Sequence, residues 1–145
     1  MYLSANVVQK AEAHFRDAAA RGMEAMGLLL GSAFVFGGRP YAVAEDYVTA
    51  RNDATAVSVR FSREAFSELS RKLSGFRVVG WAHSHPNYGC FLSLTDVATQ
   101  ESFFSENYHF ALVVDPVRGQ KKCFKVRNGQ SVPVGFAVVR RKNHG

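Results

Sequence analysis

Apolar residues recur at helical spacing near the start of the chain. Ser4 can cap a helix over residues 5–20. The apolar positions of this helix lie three or four residues apart, at Val7, Val8, Ala11, Phe15 and Ala18. Such a stripe is typical of a helix that packs on a core. The pattern predicts a second helix over residues 61–76 and a third from Ser93 to about Ser105.

Other apolar runs lack the helical period and predict strands. Residues 25–36 contain Gly31 and predict two strands broken near Gly31-Ser32, with a hairpin turn at 37–40 and a strand at 41–48. Residues 77–85 have apolar side chains on both faces, as a central buried strand does. Three more strands are predicted, over residues 109–115, 121–126 and 134–141. About three helices around one mostly antiparallel sheet indicate an α+β fold.

The length and composition favour one domain. The chain has 145 residues, of which 47% are hydrophobic, and no linker or internal repeat divides it. The N-terminal residues lack the basic and apolar regions of a secretory signal. The longest uncharged stretches contain Gly-Gly, Pro or His-Ser-His, so we expect no membrane span and a soluble, cytoplasmic protein.

The charge and the cysteines indicate little by themselves. The net charge is +6, which favours an acidic partner, but the basic residues are scattered and no recognised nucleic-acid module accompanies them. This distribution of charge does not favour nucleic acid as a partner. Cys90 and Cys123 are expected to be reduced thiols, and the absence of Cys-x-x-Cys gives no support for a thiolate zinc site.

Two histidines, His83 and His85, occupy alternate positions at the end of the strand predicted over residues 77–85. Because side chains alternate along a strand, both imidazoles are expected on the same face. Asp96 falls in the first turn of the helix that starts near Ser93 and can turn back toward them. Two imidazoles and a carboxylate can bind zinc, and three protein ligands leave one position open for water, as in catalytic sites.

Each of these residues also has a structural interpretation. A His-x-His pair alone is weak evidence for a metal, and Ser93 to Asp96 fit the capping box of a helix. Ser84 can simply hydrogen-bond to nearby backbone. However, burying two unpaired histidines in an apolar strand is unfavourable, and a metal would remove that cost. The capping role does not exclude ligation by Asp96.

Hydrolysis at such a site also needs a base, and Glu24 is the best candidate. It directly precedes an apolar, glycine-spaced run that can raise its pKa toward neutrality. From position alone, an exposed acid at a helix end is an equally good interpretation. The rival acids are Glu45, Asp46 and Glu101, none of which has an equally apolar neighbourhood.

The spacing of these residues resembles a known motif. The stretch HSHP at residues 83–86, followed by Ser93 and Asp96, is similar to H-[ST]-H-P-x(6)-S-x-x-D of the JAB/MPN/Mov34 metalloenzyme (JAMM) family. Residues 24–31, EAMGLLLG, are similar to its upstream element, E-x-x-G-x-L-x-G. Within the family, residues 78–100 look most like the deubiquitinase and deneddylase subunits of the proteasome lid and the COP9 signalosome.

The resemblance covers about residues 3–127 and implies a fold. This is the MPN fold, one mixed, mostly antiparallel curved sheet flanked by about three helices, here as a single domain over residues 1–145. Ser84 and Pro86 are implied to shape the ligand loop. We find no long insertions of the kind that grip ubiquitin in eukaryotic relatives, and a compact prokaryotic member would fit this chain.

The resemblance also implies residue roles. It makes His83, His85 and Asp96 the ligands of one Zn²⁺ ion per chain. Glu24 becomes the general acid/base that takes a proton from water and returns it to the leaving amine. Ser93 helps to stabilise the oxyanion. No position of the motif is missing.

The function predicted from these observations is a zinc isopeptidase that removes ubiquitin or a ubiquitin-like protein with a Gly-Gly tail from its conjugates. Activating or conjugating enzymes of the same pathway are expected partners. Three alternatives remain open: a JAMM peptidase that trims a sulfur carrier or another β-grasp precursor, a non-catalytic MPN scaffold, and a nucleic-acid-linked role suggested by the charge of +6. A Cys90–His85 nucleophile would be a different enzyme class and is disfavoured, because metal ligation would occupy the histidine.

Overall fold

The structure, a computed structural model, describes residues 1–49 and 77–140. The first half contains β1, Tyr2–Ser4; α1, Ala5–Ala20; β2, Met26–Phe36; and β3, Arg39–Val48. The second half contains β4, Arg77–Ser84; α2, Leu94–Phe103; β5, Phe110–Asp115; β6, Gln120–Arg127; β7, Gln130–Val134; and β8, Ala137–Val139.

The strands of the described residues form one mixed sheet in the order β7-β6-β5-β4-β2-β3-β1-β8. Four of the seven neighbouring pairs are antiparallel and three are parallel. The strand that carries His83, β4, lies between β2 and β5, as predicted for a central buried strand. The predicted α+β class with a mixed, mostly antiparallel sheet is confirmed.

Helix α1 covers one face of the sheet. Ser4 caps it as predicted, since its Oγ accepts a hydrogen bond from the Val7 amide at 3.2 Å. The buried residues of the predicted stripe are Val7, Ala11, Phe15 and Ala18. They share a core with strand residues such as Leu29, Ala82 and Leu112. This packing supplies most of the stability of an amphipathic helix.

A second core lies on the opposite face of the sheet, because side chains alternate along each strand. It contains Leu28 and Leu30 of β2 and Trp81 of β4. Leu92 and Phe104, which flank the two ends of α2, complete it. Helix α2 thus starts at the face toward which Trp81 points, and this placement brings the start of α2 close to the end of β4.

The expected break of residues 25–36 into two strands is wrong. The strand β2 is continuous, and the irregularity is a register shift between Leu30 and Gly31 against β3. At Gly31 an added Cβ would lie 1.8 Å from the Val43 carbonyl oxygen. Glycine therefore permits a close backbone approach inside one bulged strand and does not end it.

The single strand expected over residues 134–141 is also wrong. The strand β7 ends at Val134, and β8 begins at Ala137 on the opposite edge of the sheet, where it runs parallel to β1. The Ala137 amide donates a hydrogen bond to the Met1 carbonyl at 3.0 Å. The prediction joined Val134 to β8, but these residues pair with strands at opposite edges of the sheet.

The helix predicted from Ser93 is confirmed as α2, with Ser93 as its N-cap. The β2–β3 turn is also confirmed, since Gly37 and Gly38 both have positive φ, at 58° and 75°. The helix predicted over residues 61–76 lies outside the described residues. No helix of the described part of the chain is long and apolar enough to cross a membrane.

Candidate metal centre

His83 lies near the end of β4 and His85 directly follows it, and both neighbouring strands hold this end. His83 is paired with Met26 of β2 and Val113 of β5. The His85 amide, just beyond the strand, donates to the Val114 carbonyl at 2.9 Å. Both rings therefore stand on backbone that is fixed by sheet hydrogen bonds, and both residues are buried.

Asp96 reaches the histidines from the first turn of α2. Its amide donates to Ser93 Oγ at 3.1 Å, and its Oδ2 accepts from the Ser93 amide at 2.9 Å. This is the reciprocal capping box predicted from the sequence. The same Oδ2 also faces the two imidazoles, so the cap aims the carboxylate at the end of β4. The structural and the ligand interpretations of Asp96 are thus compatible.

The three candidate ligand atoms form a small triangle. His83 Nε2 lies 2.9 Å from His85 Nε2 and 3.1 Å from Asp96 Oδ2. His85 Nε2 lies 3.3 Å from the same oxygen. A tetrahedral ion with bonds of about 2.0–2.1 Å keeps its ligands about 3.3 Å apart. The chemistry and spacing of the donors therefore fit a zinc ion, and the group could hold a metal.

Hydrogen bonding alone explains this cluster poorly. Two imidazole nitrogens 2.9 Å apart can share only one hydrogen, and Asp96 Oδ2 already accepts from the Ser93 amide. The other ring nitrogen, His83 Nδ1, is buried and has no hydrogen-bond partner among the described residues. A cation between the two Nε2 atoms and Oδ2 would remove the competition among these three atoms, but it would not supply a partner for His83 Nδ1.

The charge states of these groups also suit a metal. Burial lowers the pKa of His83 more than the adjacent carboxylate raises it, so the imidazole is neutral and can offer a lone pair. Burial alone would raise the pKa of Asp96, but hydrogen bonds from His83, His85 and the Ser93 amide hold it well below its usual range. The carboxylate is therefore ionised.

Neighbouring groups orient the two rings. His85 Nδ1 lies 3.2 Å from the Gly89 carbonyl, which fixes a hydrogen on Nδ1 and leaves Nε2 free as a ligand. The Trp81 ring stacks on His83 with centroids 4.6 Å apart, and the Tyr88 ring stacks on His85 at the same distance. The imidazoles are thus held from several sides.

Glu24 is buried beside this cluster, with 7% of its surface exposed. Tyr88 Oη donates a hydrogen bond to Glu24 Oε1. Burial raises the pKa of Glu24 to about 7; the His85 ring opposes this change and the Asp96 charge adds to it. Glu24 is near the triangle, because the same Tyr88 that donates to it also stacks on His85. An acid with a pKa near neutrality suits proton transfer.

The rival acids lie in other surroundings. Asp46 forms an ion pair with Lys10 at 2.6 Å, and Glu101 is exposed. Glu45 lies on β3 and is half-buried. The apolar neighbourhood of Glu24, which the sequence indicated, therefore distinguishes it from these three.

Ser84 connects β4 to the residue after Glu24. Its amide donates to the Ala25 carbonyl at 3.0 Å, and its Oγ accepts from the Ala25 amide at 2.9 Å. Ser84 is fully buried. These two bonds fix the backbone beside Glu24 to the strand that carries the histidines, a contact between residues 59 positions apart.

Two residues near the site, Tyr88 and Asp115, were not predicted from the sequence. Tyr88 contacts both Glu24 and His85. Asp115 is fully buried and accepts hydrogen bonds from the amides of Asn87 and Gly89, each at 2.9 Å. A tyrosine between turn residues and an aspartate before a proline were the available signals, and both are common features of ordinary turns.

The two cysteines are free thiols, as predicted. Burial raises the pKa of the Cys90 thiol and raises that of Cys123 to about 12. His85 directs Nε2 to His83 and Asp96 and Nδ1 to the Gly89 carbonyl. Neither ring nitrogen is then available to activate Cys90, which disfavours a cysteine nucleophile.

Two known proteins are similar to this chain in sequence. Subunit 5 of the COP9 signalosome complex of Candida albicans is 34% identical over 133 residues, covering 83% of this chain and 21% of that protein. The ubiquitin carboxyl-terminal hydrolase RPN11 of Saccharomyces cerevisiae is 38% identical over 128 residues. The match covers 83% of this chain and 40% of that protein. The chain thus spans less than half the length of these relatives.

A solved structure agrees with the fold. The solution structure of the protein DSY2949 from Desulfitobacterium hafniense superimposes with a TM-score of 0.69 at 21% identity, covering 99% of this chain and 95% of that one. Residues 1–108 match the family described as JAB1/Mov34/MPN/PAD-1 ubiquitin protease. This match includes the β4–α2 segment and Glu24, and it shows that the chain belongs to the JAB1/Mov34/MPN/PAD-1 family.

Proposed function

We propose that this protein is a zinc-dependent isopeptidase that removes ubiquitin or a ubiquitin-like protein from its conjugates. The observation that carries the proposal is the convergence of His83 Nε2, His85 Nε2 and Asp96 Oδ2 beside the buried carboxyl of Glu24. Two imidazoles and one carboxylate form the ligand set of hydrolytic zinc sites, which keep a further position for water or substrate. One ion per chain is expected.

The chain's own groups have distinct roles in this proposal. A zinc ion, when bound, supplies a Lewis acid that lowers the pKa of a water and polarises a carbonyl. Glu24 accepts the proton of the attacking water and returns it to the leaving amine as the amide bond breaks. Its pKa of about 7 suits both transfers. Ser93 Oγ accepts from the Asp96 amide, so its hydroxyl hydrogen can be donated to the developing oxyanion.

The proposed substrate has a thin tail, Gly-Gly, before the scissile bond. The reacting atoms must approach to about 3–3.5 Å, and a bulky side chain beside the carbonyl would hinder that approach between β4 and the start of α2. The relatives support the same class, since one of them is named a ubiquitin carboxyl-terminal hydrolase. The net charge of +6 favours an acidic body on the modifier or the acceptor. Activating and conjugating enzymes of the pathway are proposed partners.

A fusion panel tests the substrate class. Ubiquitin is joined to a reporter peptide after Gly-Gly, Ala-Ala or Leu-Leu, once as a linear fusion and once through a lysine ε-amine. Cleavage of the Gly-Gly isopeptide that stops with a zinc chelator and returns with added zinc supports the proposal. Equal cleavage of all three tails contradicts tail selection. Cleavage of the linear fusions alone would assign a precursor-processing peptidase instead.

Variants test the chemistry. Glu24→Gln keeps the size and loses the base, so turnover should fall by about 10²–10⁴-fold with one zinc per chain retained. Glu101→Gln is the matched control, because that acid is exposed, and should leave turnover unchanged. Cys90→Ala should also keep its rate. A purified protein without stoichiometric zinc and without activity would favour the scaffold alternative.

A further inference from the structure

Tyr88 lies in a part of the sequence motif that specifies no residue type, between Pro86 and Ser93. It is 39% exposed, whereas the histidines that it borders are buried. An exposed tyrosine in a turn ordinarily has its hydroxyl in water. Here the hydroxyl donates instead to Glu24 Oε1, across 64 positions of the chain. The ring itself covers His85, with centroids 4.6 Å apart and planes 20° from parallel.

The backbone around Tyr88 is shaped for this placement. The residues on either side of it, Asn87 and Gly89, both have positive φ, at 69° and 89°. Their amides donate to the two oxygens of Asp115, each at 2.9 Å. Asp115 is fully buried at the end of β5. The turn is therefore held at both flanks of Tyr88 by one fixed carboxylate, which limits the directions that the ring can take.

We propose that Tyr88 is a positioning residue for Glu24, which its hydroxyl holds in the rotamer that faces the His83–His85–Asp96 cluster. Glutamate has three rotatable side-chain bonds, and a buried end without a partner would sample several orientations. A hydrogen bond to a carboxylate is among the stronger ones in proteins. Asp115 acts one step further away, because it holds the turn that holds Tyr88. This inference rests on the proposed role of Glu24 as the base.

The proposal assigns two separable contributions to one side chain. The hydroxyl acts on Glu24, and the ring packs on His85. Tyr88→Phe removes only the first, so zinc binding should stay at one per chain. Tyr2→Phe is the matched control: Tyr2 is similarly exposed, at 42%, and lies on β1, two strands beyond β2 in the sheet.

The kinetic test is a double-mutant cycle on the Gly-Gly isopeptide of ubiquitin. Tyr88→Phe should lower kcat by about 10-fold or more with KM changed less than about 2-fold, because the lost bond ends on a charged group. In the Glu24→Gln background the same change should cost less than about 2-fold, since there is no base left to position. An equal loss in both backgrounds, or no loss in either, overturns the proposal.

Crystal structures of the wild-type protein and Tyr88→Phe, each with zinc and metal-free, give a readout that needs no substrate. We expect a Tyr88–Glu24 oxygen separation of about 2.5–3.0 Å in the wild type. Without the hydroxyl, the Glu24 carboxylate should move or split into several conformers. An unmoved, single Glu24 conformer in the variant overturns the positioning role even if the wild type is an isopeptidase. A displaced Glu24 in a protein that cleaves no ubiquitin fusion would support the positioning role and contradict the proposed function.

Discussion

Asp96 and Asp115 are the buried aspartates of the described residues, and they use their carboxylates differently. Asp96 Oδ2 faces two imidazole nitrogens and one backbone amide within 3.3 Å. Asp115 accepts instead from four backbone amides, those of Asn87, Gly89, Val117 and Arg118. Burial opposes ionisation of both, yet their hydrogen bonds lower both pKa values.

The difference shows that burial and a lowered pKa identify a well-satisfied carboxylate but not its function. The partners of Asp115 are all donors, so its hydrogen bonds are complete and the group ties one turn to another. The partners of Asp96 include nitrogens that cannot all donate at once. A cluster that its own hydrogen bonds leave incomplete is the better candidate for a metal, and substitutions at the two aspartates should therefore have different effects.

The largest effect should come from Asp96→Asn. The amide oxygen can still accept from the Ser93 amide, so the helix cap and the fold should survive. The loss of the charged ligand should remove zinc and lower turnover by more than about 10³-fold, the loss expected when metal assistance worth several kcal/mol is removed. Metal content by atomic emission and turnover of the same sample check this. His83→Ala should behave likewise, and full zinc occupancy in either variant would exclude that residue as a ligand.

Asp115→Asn should instead act on stability. An amide offers one acceptor oxygen where the carboxylate offers two, so some of the four amides would lose their partner. We expect the free energy of unfolding to fall by about 2–3 kcal/mol. Urea unfolding of the metal-free proteins measures it. Asp17→Asn, at an exposed ion pair with Arg21, is the control and should change stability by less than about 0.5 kcal/mol. If Asp115→Asn lost zinc but kept its stability, Asp115 would act on the metal and not on the fold, which contradicts this contrast with Asp96.

The pH dependence of the free energy of unfolding should reveal the raised pKa of Glu24. Its pKa is about 7 in the folded chain and 4.5 in the reference state, so the folded state binds more protons between these values. Stability of the metal-free wild type should therefore fall, relative to Glu24→Gln, as pH rises from about 4.5 through 7, and the difference should become constant above about pH 8. After allowance for partial solvent screening, the total is about 2 kcal/mol. Parallel stability curves for the two proteins would contradict the raised pKa.

The smallest effects on stability and turnover are expected at Ser4 and Ser93, the two serines that cap helices. Ser4→Ala and Ser93→Ala each remove an N-cap and should each cost about 1 kcal/mol in urea unfolding. Only Ser93→Ala should also lower kcat, by about 10-fold, because only that hydroxyl lies beside Asp96. If both variants keep the wild-type kcat, Ser93 is a helix cap and has no role in the oxyanion site.

The sequence by itself determined the α+β class, helix α1 with its Ser4 cap, the central strand β4 and the start of α2. These features depend on the spacing of apolar residues and on helix-capping residues, both of which can be read from short stretches of sequence. It also determined the candidate ligands, because a strand period of two aligns His83 with His85 and a capping box aims Asp96. The apolar run after Glu24 made it the best candidate for the base, and the family motif supported that choice, although its position alone also suits an exposed acid at a helix end.

Only the tertiary structure decided which distant segments meet. It placed β8 on the edge opposite β7, kept β2 continuous through Gly31, and brought Tyr88 to Glu24 across 64 positions. It also gave Asp115 its four backbone partners. The physical reason is that backbone amides carry no residue-specific signal and that burial depends on the whole sheet. The sequence pattern indicates which residues are able to pair, but the fold determines which of them come within hydrogen-bond distance.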